Sequence, residues 1–269
     1  MFQSDFYFAS IRKYVTMFGT LFNDVLITRT DANNTPIETL KVPIAYGPKE
    51  PMLARLTQDP NLNKKVAIKL PRMGFELTSM NYAADRKLQS TVKNVREAAG
   101  STKMNSQYVP VPYDMSFSLY VMAKNAEDGS KIIEQILPYF TPEYTPTVNL
   151  VPDMGITMDI PVILLNVTSQ DTYETNFVER RALIWTLDFI VKGYFFGPIK
   201  KSGVITLANT NFYGYEGLPV EERLFGTTIT PGQLANGSPT SNGSLTIDRN
   251  SISPNSSYGY VITRTDNYE

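Results

Sequence analysis

Chemistry in this chain depends on carboxylates, lysines and hydroxyls, because its 269 residues include no histidine and no cysteine. Histidine titrates between about pH 5 and 8 and activates serine nucleophiles, and cysteine supplies thiolates and disulfides. Their absence excludes Ser-His-Asp and Cys-His catalysis within one chain, Cys/His zinc sites and disulfide bonds. Paired carboxylates, lysine, or magnesium or calcium on oxygen ligands remain possible. We expect a protein that works by shape and contact rather than by catalysis.

Adjacent acids, the first requirement for carboxylate chemistry, occur at Glu127–Asp128 and Glu221–Glu222. Neighbouring side chains rarely converge on one bond, and the first pair lies where a helix N-terminus would favour negative charge. The signatures of phosphate loops, nucleophile elbows, zinc proteases and calcium loops do not occur in the sequence. We therefore predict no catalytic residues, no cofactor and no metal. A rival interpretation, a carboxylate-dependent glycan hydrolase or glycan-binding module, is suggested by the 16 Tyr and 14 Phe and requires two convergent acids in an aromatic cleft.

Residues of two kinds are candidates for contacts with other proteins. The first kind is a run of basic side chains in the polar segment 83–107, which could contact nucleic acid or an acidic protein surface, or form a solvated loop. The second is tyrosine, which is common at interfaces and also in cores. One tyrosine pair lies in a proline-rich stretch and another near the end of the chain. The candidates are Arg86, Lys87, Lys93, Arg96, Lys103, Tyr139, Tyr144, Tyr258 and Tyr260.

The elements that position these residues follow from hydrophobic periodicity. Helical spacing predicts one helix over residues 5–22, with caps at Ser4 and Asp5, and a second within residues 127–140 that Pro138 helps to end. Residues 83–107 are expected to form a long loop or arm. Because strands outnumber helices, we predict an α+β protein with a mostly antiparallel β-sheet core and a few interrupting helices. The predicted strands are a hairpin at 25–29 and 40–46, a strand at 66–80 with a bulge or edge near Pro71–Gly74, strands at 113–121 and 180–196, and a central strand at 159–169.

The composition changes at about residue 225, since 27 of the last 44 residues are Gly, Ser, Thr, Asn or Pro. Such a segment alone buries too little apolar surface to offset its ordering entropy. We therefore predict a core domain over residues 1–225 and an irregular polar C-terminal extension over residues 226–269, which needs a partner or its own fold to be ordered. The β-prone pieces at 244–248 and 258–265 are candidates for addition to a sheet edge.

Charge is nearly balanced, with 25 basic and 26 acidic side chains and a net charge of −1, which does not favour a phosphate backbone as partner. The distribution is uneven: residues 1–100 carry 14 basic and 9 acidic side chains, and residues 101–200 carry 7 and 11. Opposite charges on two surfaces would suit head-to-tail association of identical subunits. No run approaches the roughly 20 apolar residues of a membrane span, and no signal peptide pattern begins the chain. We expect no membrane contact and synthesis in the cytoplasm.

A series of segments, read in order, resembles a known family of phage proteins. The segments are SIRKY (10–14), MFGTLFNDV (17–25), VPIAYGPKE (42–50), KLPRMGFEL (69–77), SQYVPVPYDMSFSLYV (106–121), EQILPYFTP (134–142) and RRALIWTLDFIVKGYFF (180–196). Their order and spacing are similar to those of the tail sheath stabiliser, or tail completion protein, family of contractile-tailed bacteriophages of the T-even-like myovirus group. The resemblance covers about residues 4–200, and we find no correspondence beyond about residue 205.

The resemblance implies a structural virion protein without catalytic residues, whose core domain assembles as a hexameric ring at the head-proximal end of the tail. Such rings cap the tail through the tail terminator protein, hold the last ring of the extended tail sheath protein and present a surface to the head-side neck proteins. The implied location is the virion tail, after synthesis in the cytoplasm of the host bacterium. Neither a membrane nor a specific nucleic-acid sequence is an expected partner. Another tail or neck component, such as a tail terminator or baseplate protein, is the alternative, because fold does not determine position in an assembly.

Overall fold

The computed structural model describes residues 5–30, 36–52, 70–98, 103–172, 182–213 and 223–266. Its helices are α1 (Ser10–Leu21) and α2 (Ala126–Ile136), and residues 49–52 are also helical. Most neighbouring strands are antiparallel, which confirms the predicted α+β class. In chain order the strands are β1 (Leu26–Thr30), β2 (Pro36–Lys41), β3 (Ile44–Tyr46), β4 (Arg72–Tyr82), β5 (Lys93–Glu97), β6 (Lys103–Tyr108), β7 (Val111–Ala123), β8 (Glu143–Tyr144), β9 (Thr147–Val151), β10 (Ile156–Asp159), β11 (Val162–Thr172), β12 (Ala182–Phe195), β13 (Lys200–Gly203), β14 (Ala208–Tyr213), β15 (Arg223–Gly232) and β16 (Gly259–Asp266).

The chain divides into two compact units. Unit 1 comprises Met1–Gln89 and Pro110–Phe196, and unit 2 comprises Ser90–Val109 and Gly197–Glu269. Unit 2 is therefore assembled from two separate stretches of sequence. The segment 226–269 lies in unit 2 together with residues 90–109 and 197–225. The domain boundary at residue 225 stays a prediction.

Unit 1 is built on a six-stranded sheet with the strand order β3-β4-β7-β12-β11-β8. β3 and β4 run parallel, and the other neighbours run antiparallel. Alternate side chains of β7 and β12 point to one face, where Phe117 and Phe189 are completely buried, and the strand predicted over residues 113–121 is confirmed. On the other face Tyr120 and Met122 are also buried, in a small cluster with Ile184.

Helix α1 packs on the first face through side chains one turn apart. Tyr14, Phe18 and Phe22 follow an i, i+4 spacing and are all buried. Phe18 stacks on Phe117 with 4.6 Å between ring centroids and meets Phe189 edge-on at 5.3 Å. Aromatic packing between α1 and the central strands therefore forms the middle of the core of unit 1.

The start of α1 differs from the prediction. The helix begins at Ser10, after Ala9 in a left-handed conformation, and no side chain caps it. Asp5, one of the two predicted caps, lies in an irregular segment before the helix, and the other lies outside the described residues. The apolar spacing that suggested an earlier start includes Phe6, which is 46% exposed and contacts Phe8 rather than the core.

Tyr14 fastens α1 to β12. Its hydroxyl donates to the Tyr194 carbonyl oxygen at 2.8 Å and accepts from the Tyr194 N–H at 2.8 Å. We expect Tyr14→Phe to lower the free energy of unfolding by about 1–3 kcal/mol, because the N–H and the carbonyl oxygen of Tyr194 both lose their hydrogen bond to the hydroxyl. Urea unfolding followed by the fluorescence of Trp185, the single tryptophan, measures the change in unit 1. A variant as stable as the wild type would contradict this role.

The same hydroxyl makes the stability dependent on pH. Burial raises the pKa of Tyr14 from 10.0 to about 12. A folded-state pKa above the unfolded value contributes stability below pH 10.0, and this stability is lost as the pH rises to about 12. The stability difference between the wild type and Tyr14→Phe should therefore shrink over that range. A constant difference would show that Tyr14 does not titrate in this way.

Helix α2 begins at the acidic pair noted in the sequence, and the pair has the predicted structural role at the helix N-terminus. Lys131 donates to Glu127 at 2.6 Å, which lowers the pKa of Glu127. Asp128 is buried and pairs with Arg29 of β1 at 3.0 Å. One acid therefore stabilises the first turn, and the other attaches the hairpin β1-β2 to α2. The second acidic pair, Glu221–Glu222, lies outside the described residues.

Strand β11 is not the central strand predicted over residues 159–169. Its outer neighbour β8 pairs only with Val162 and Ile163, so the rest of β11 forms the edge among the described strands. A register shift between Leu164 and Asn166 displaces Leu165, which is 59% exposed. An apolar sequence on both faces indicates a central strand only when the register is regular, and here it is not.

Other predictions for unit 1 are confirmed with shifted boundaries. β1 and β2 form the predicted hairpin, and β12 is the long antiparallel strand predicted at 180–196. The strand predicted over 40–46 divides into the end of β2 and the separate strand β3. The irregularity expected near Pro71–Gly74 lies further along β4, as a register shift between Leu77 and Ser79.

Unit 2 contains two three-stranded sheets, β13-β6-β5 and β14-β15-β16. The prediction of a long loop over 83–107 is wrong, because β5 and β6 form an antiparallel hairpin, with β13 on the other side of β6. A partner strand from a distant part of the chain is invisible to a local sequence pattern. Of the two β-prone pieces, residues 258–265 lie largely in β16, which pairs with β15, and residues 244–248 form no strand.

The polar segment between β15 and β16 is ordered mainly by hydrogen bonds between side chains and backbone. Asn236 and Asn242 each accept a bond from a backbone N–H two residues ahead, as asparagines do in tight turns. The side-chain amide of Gln233 donates to the carbonyl oxygens of Gly237 and Ser257, both at 3.0 Å. These bonds replace the large apolar core that the composition lacks.

Candidate protein-interaction surfaces

A groove with a volume of about 1120 Å³ crosses unit 1. One wall is α1 with the turn that follows it, and the other is the end of α2 with residues 137–149. The segments 17–25 and 134–142, which carry part of the family resemblance, contribute to the two walls. Phe22 and Phe140 pack against each other across the groove, with 6.1 Å between ring centroids. We call this feature the tyrosine groove, after the residues at its second wall.

Tyr139 and Tyr144 line this groove and are 68% and 41% exposed. Tyr139 is held by the 3-10 turn that follows α2, and Tyr144 by β8 and by an edge-on contact with Phe140 at 6.3 Å. Aromatic rings that are already held in place bury a large area on binding with little loss of side-chain entropy. The structure thus presents both tyrosines to solvent, and their contact with a partner stays a prediction.

One exposed carboxylate, that of Glu134, lies on the second wall of the groove. Residues 125–160 contain six acidic residues and one lysine, and Glu127 and Asp128 are paired within unit 1. The wall formed by α1 and the turn that follows it carries Arg12, Lys13 and Asp24. The other four acids are exposed and have no cationic partner among the described residues; they are Glu134, Glu143, Asp153 and Asp159.

The run of basic residues predicted from the sequence is divided between the two units. Arg86 lies in unit 1, where it donates to Asp114 at 2.5 Å and stacks over the ring of Tyr194 at 5.1 Å. The positive charge of Arg86 is therefore paired with Asp114 within unit 1. Lys87 follows it and is exposed. Unit 2 holds the remaining members, which are Lys93, Arg96 and Lys103.

Positive charge in unit 2 gathers on the sheet β13-β6-β5, whose strands contain five basic residues and one acidic residue. Directly opposite residues of an antiparallel ladder share a face. Lys93 therefore lies beside Tyr108, and Val95 beside Ser106 and Lys200, on what we call the basic face. The Lys93 ammonium lies over the Tyr108 ring at 4.9 Å, and Val95 is 55% exposed. The same register places Glu97 on this face, which therefore combines two lysines, one carboxylate and the exposed apolar surface of Val95.

Sequence reasoning missed Lys200 and Lys201. They lie far along the chain from the basic run, and only the pairing of β13 with β6 brings them to it. On the face opposite the basic face, Arg96, Asn105 and Lys201 are aligned across the three strands. The adjacent lysines in an otherwise strand-like stretch were the one signal that could have pointed to this sheet.

Tyr258 and Tyr260 contribute to an exposed apolar surface of the sheet β14-β15-β16. Both line a depression of about 180 Å³ together with Ile205 and Leu207. Tyr260, Ile205 and, further along β16, Ile262 are each more than half exposed. Ile205 and Leu207 lie between two strands, where no periodic pattern marks them in the sequence.

Polar groups on the sheet of unit 1 are hydrogen-bonded to one another. Glu76 and Asp188 flank Ser118 across adjacent strands. Tyr120 donates to Glu76 at 2.5 Å, and Ser118 donates to Asp188 at 2.7 Å. Burial and the bond to Glu76 raise the pKa of Tyr120 above its ordinary value. Both carboxylates are therefore hydrogen-bonded within the sheet.

Among the residues that the structure describes, no group of three or more acidic side chains lies close enough together to hold a metal ion. None of their helices has the length and apolar character needed to cross a lipid bilayer. The features that stand out in the described residues are thus the contact surfaces above.

Comparison with known proteins identifies the family. Residues 5–253 match the family described as the T4-like virus Myoviridae tail sheath stabiliser. The chain belongs to this family. The tail completion protein gp15 of Enterobacteria phage T4 is 30% identical over 216 residues, which cover 77% of this chain and 78% of that protein.

As a tail sheath stabiliser, the protein is a structural component of a phage tail, and the family predicted from the sequence is confirmed. The family match corrects one expectation, because it extends beyond residue 205 and includes much of unit 2. It takes in both walls of the tyrosine groove and the strands of the basic face, whereas Tyr258 and Tyr260 lie outside it.

Proposed function

We propose that this tail sheath stabiliser forms a hexameric ring at the head-proximal end of a contractile tail. The ring caps the tail, holds the extended sheath and presents an attachment surface to the head-side neck proteins; its partners are the tail sheath protein, the tail terminator protein and those neck proteins. Family membership supports the tail role. The observation that best supports contact with a neighbouring protein is the tyrosine groove, because it combines exposed aromatic rings with an apolar concave surface.

Stabilisation in this proposal is multivalent. Each subunit of a cyclic ring binds its two neighbours in the ring through two different patches that complement each other. Each subunit also makes one contact with a symmetric partner such as a sheath ring. After the first contact forms, the others are effectively intramolecular, so modest bonds together resist sheath release. Because the chain has no histidine, the ring has no intrinsic histidine switch between about pH 5 and 8. The trigger for sheath release therefore comes from neighbouring proteins.

Binding measurements with groove variants test the proposal. We expect Tyr139→Ala combined with Tyr144→Ala to weaken binding to the partner that occupies the groove by about tenfold or more, since truncated aromatic anchors commonly cost over 1 kcal/mol each. The purified variant is tested in parallel against extended sheath on tail tubes, the terminator protein and the neck proteins. This panel also distinguishes the sheath-stabilising role from that of a terminator or baseplate protein.

A matched control uses Tyr46→Ala combined with Tyr82→Ala, since these tyrosines are 55% and 47% exposed and do not line the groove. The control should bind as the wild type does. Unchanged binding of the groove variant to all three partners would refute the role of the groove. No binding of the wild type to any of the three would refute the proposed function. The family membership favours this structural interpretation over a glycan hydrolase or glycan-binding module.

A further inference from the structure

Strands β8 and β9 continue each other along the second wall of the tyrosine groove. They form one side of a hairpin whose other side is β10 and β11, and one register runs through both pairs, since Tyr144 lies opposite Val162 and Thr147 opposite Asp159. The wall is therefore an extended stretch of chain over residues 142–149. Five of its residues line the groove, and they are Tyr144, Pro146, Thr147, Val148 and Asn149.

The main chain of this stretch is hydrogen-bonded on one side. The Ile160 N–H donates to the Pro146 carbonyl oxygen at 2.9 Å, and the Leu164 N–H donates to the Pro142 carbonyl oxygen at 3.4 Å. Even-numbered residues therefore direct their main-chain groups toward β10 and β11, and odd-numbered residues direct theirs away. Among the described strands, none pairs with this outer side, which we call the free edge. It consists of the N–H and carbonyl groups of four exposed residues, Glu143, Thr145, Thr147 and Asn149.

We propose that the tyrosine groove receives an extended segment of a neighbouring tail protein, which adds as a strand to the free edge. This inference rests on the proposed function and specifies the form of the partner at the same groove. Main-chain donors and acceptors that recur at every second residue are matched by another extended chain. Hydrogen bonds between the two main chains then supply affinity, and the groove selects the side chains.

The side chains that line the groove indicate the composition of this segment. Tyr144, Pro146 and Val148 share one face of the extended stretch, and all three line the groove beside Phe140. Every second side chain of an added strand lies next to this row, so we expect apolar residues at alternate positions of the segment. Two basic and two acidic residues line the groove, which favours no net charge on the segment; they are Arg12, Lys13, Asp24 and Glu134.

An extended chain fits this site better than a helix or a small molecule does. A helix satisfies its own main-chain groups and would leave the free edge unpaired. The groove volume of about 1120 Å³ is larger than the range of about 300–1,000 Å³ that is typical of sites for small molecules. A strand satisfies the hydrogen-bonding groups of the edge and places side chains in the groove at the same time.

The free edge also lacks the devices that keep other edges of this protein from pairing. Proteins commonly protect exposed strand edges with charged side chains or bulges. The edge strand β5 carries Lys93 and Glu97, and β11 has a register shift at Leu165. Residues 144–149 contain no charged side chain, and Pro146 removes no donor from the free edge, because its nitrogen faces β10. An edge of this kind is suited to pairing.

Proline substitutions in the full-length chain test the main-chain contact. Thr147→Pro combined with Asn149→Pro removes two donors of the free edge, and neither N–H is one that pairs with β10. We expect binding to extended sheath on tail tubes, to the terminator protein or to the neck proteins to weaken by about tenfold or more. The matched control, Thr147→Ala combined with Asn149→Ala, changes the same side chains, keeps both N–H groups and should bind as the wild type does. Circular dichroism checks that both variants are folded.

Hydrogen exchange of the wild-type chain, resolved to single residues by mass spectrometry, gives a second readout that needs no substitution. When the partner binds, exchange of the Thr147 and Asn149 N–H groups should slow by at least about tenfold, because each gains a hydrogen bond. The N–H of Val148 faces β10 and should change less. Equal slowing at all three residues would indicate simple coverage of the surface and would contradict strand addition.

Random peptides of about ten residues, the upper length of a typical strand, test the site without any tail protein. They are selected by display on the purified full-length chain. We expect selected peptides with apolar residues at every second position, which bind the alanine control but not the proline variant. Apolar residues at helical spacing, equal binding by the proline variant, or no selected peptide that requires the free edge would each overturn the inference. Wild-type oligomers that disappear in the proline variant would overturn it in favour of a segment of a second copy.

These outcomes are separable from the test of the proposed function. If the wild type binds sheath, terminator or neck proteins and the proline variant binds them equally well, the tail role stands and strand addition is wrong. If the selected peptides require the free edge while the wild type binds no tail component, strand addition is right and the proposed tail partners are wrong.

Discussion

Phe18→Ala should lower the free energy of unfolding of unit 1 by about 3–5 kcal/mol, the range for truncating a fully buried phenylalanine. Phe18 is completely buried, and its ring contacts Phe75, Phe117 and Phe189 at centroid distances of 5.4, 4.6 and 5.3 Å. The substitution removes aromatic contacts from both the helix and the central strands. It leaves a cavity that the antiparallel sheet cannot close by a small shift.

Urea unfolding followed by Trp185 fluorescence measures this effect, because the single tryptophan lies in β12 of unit 1. The control is Phe6→Ala, whose ring is 46% exposed, and we expect it to cost about 1 kcal/mol or less. Phe18→Leu keeps most of the volume and should lie between the two. Similar midpoints for Phe18→Ala and Phe6→Ala would show that α1 does not contribute the centre of the core.

Arg29→Met should destabilise unit 1 by about 3 kcal/mol, because it leaves the buried carboxylate of Asp128 without its charged partner. The guanidinium of Arg29 donates to Asp128 at 3.0 Å, and the Asp128 side chain is only 7% exposed. The Arg29 side chain is itself 42% exposed. The loss of stability therefore comes more from the unpaired, buried carboxylate of Asp128 than from the removal of the arginine. The contact also joins β1 to the first turn of α2.

A double-mutant cycle separates these contributions. Asp128→Asn in the Arg29→Met background removes the buried charge, and the double variant should recover at least half of the stability lost in Arg29→Met. Lys41→Met serves as the matched control, since Lys41 pairs with Asp24 at 2.9 Å and both side chains are at least half exposed. That exposed pair should contribute about 1 kcal/mol or less. Equal losses for Arg29→Met and Lys41→Met would contradict the argument.

Several features of the fold were accessible from local patterns. β7 and β12 have clear alternation, α2 has a helical stripe after an acidic start, and β1 and β2 flank a turn-rich segment. Each follows from interactions within a few residues, which periodicity and propensity report directly. The boundaries were less accessible, because the start of α1 at Ser10 depends on where Phe6 packs.

The candidate surfaces were accessible only in part. Tyr139 and Tyr144 could be named from the sequence, but their position in a groove depends on α1, which lies more than a hundred residues earlier. Lys93 could also be named, whereas Lys200 could not. Their shared face exists because β13 pairs with β6, a contact between distant segments that no local pattern encodes.

Residue composition alone removed histidine and cysteine chemistry from this protein, because a residue type that is missing from the chain is missing from every fold it adopts. The ordered family-like segments were likewise a property of the sequence, and they led to the tail sheath stabiliser family. The pairing of strands and the packing of α1 decided which charges and rings share a surface. Those arrangements depend on long-range register and burial, where the free energy of a contact is determined by both partners at once.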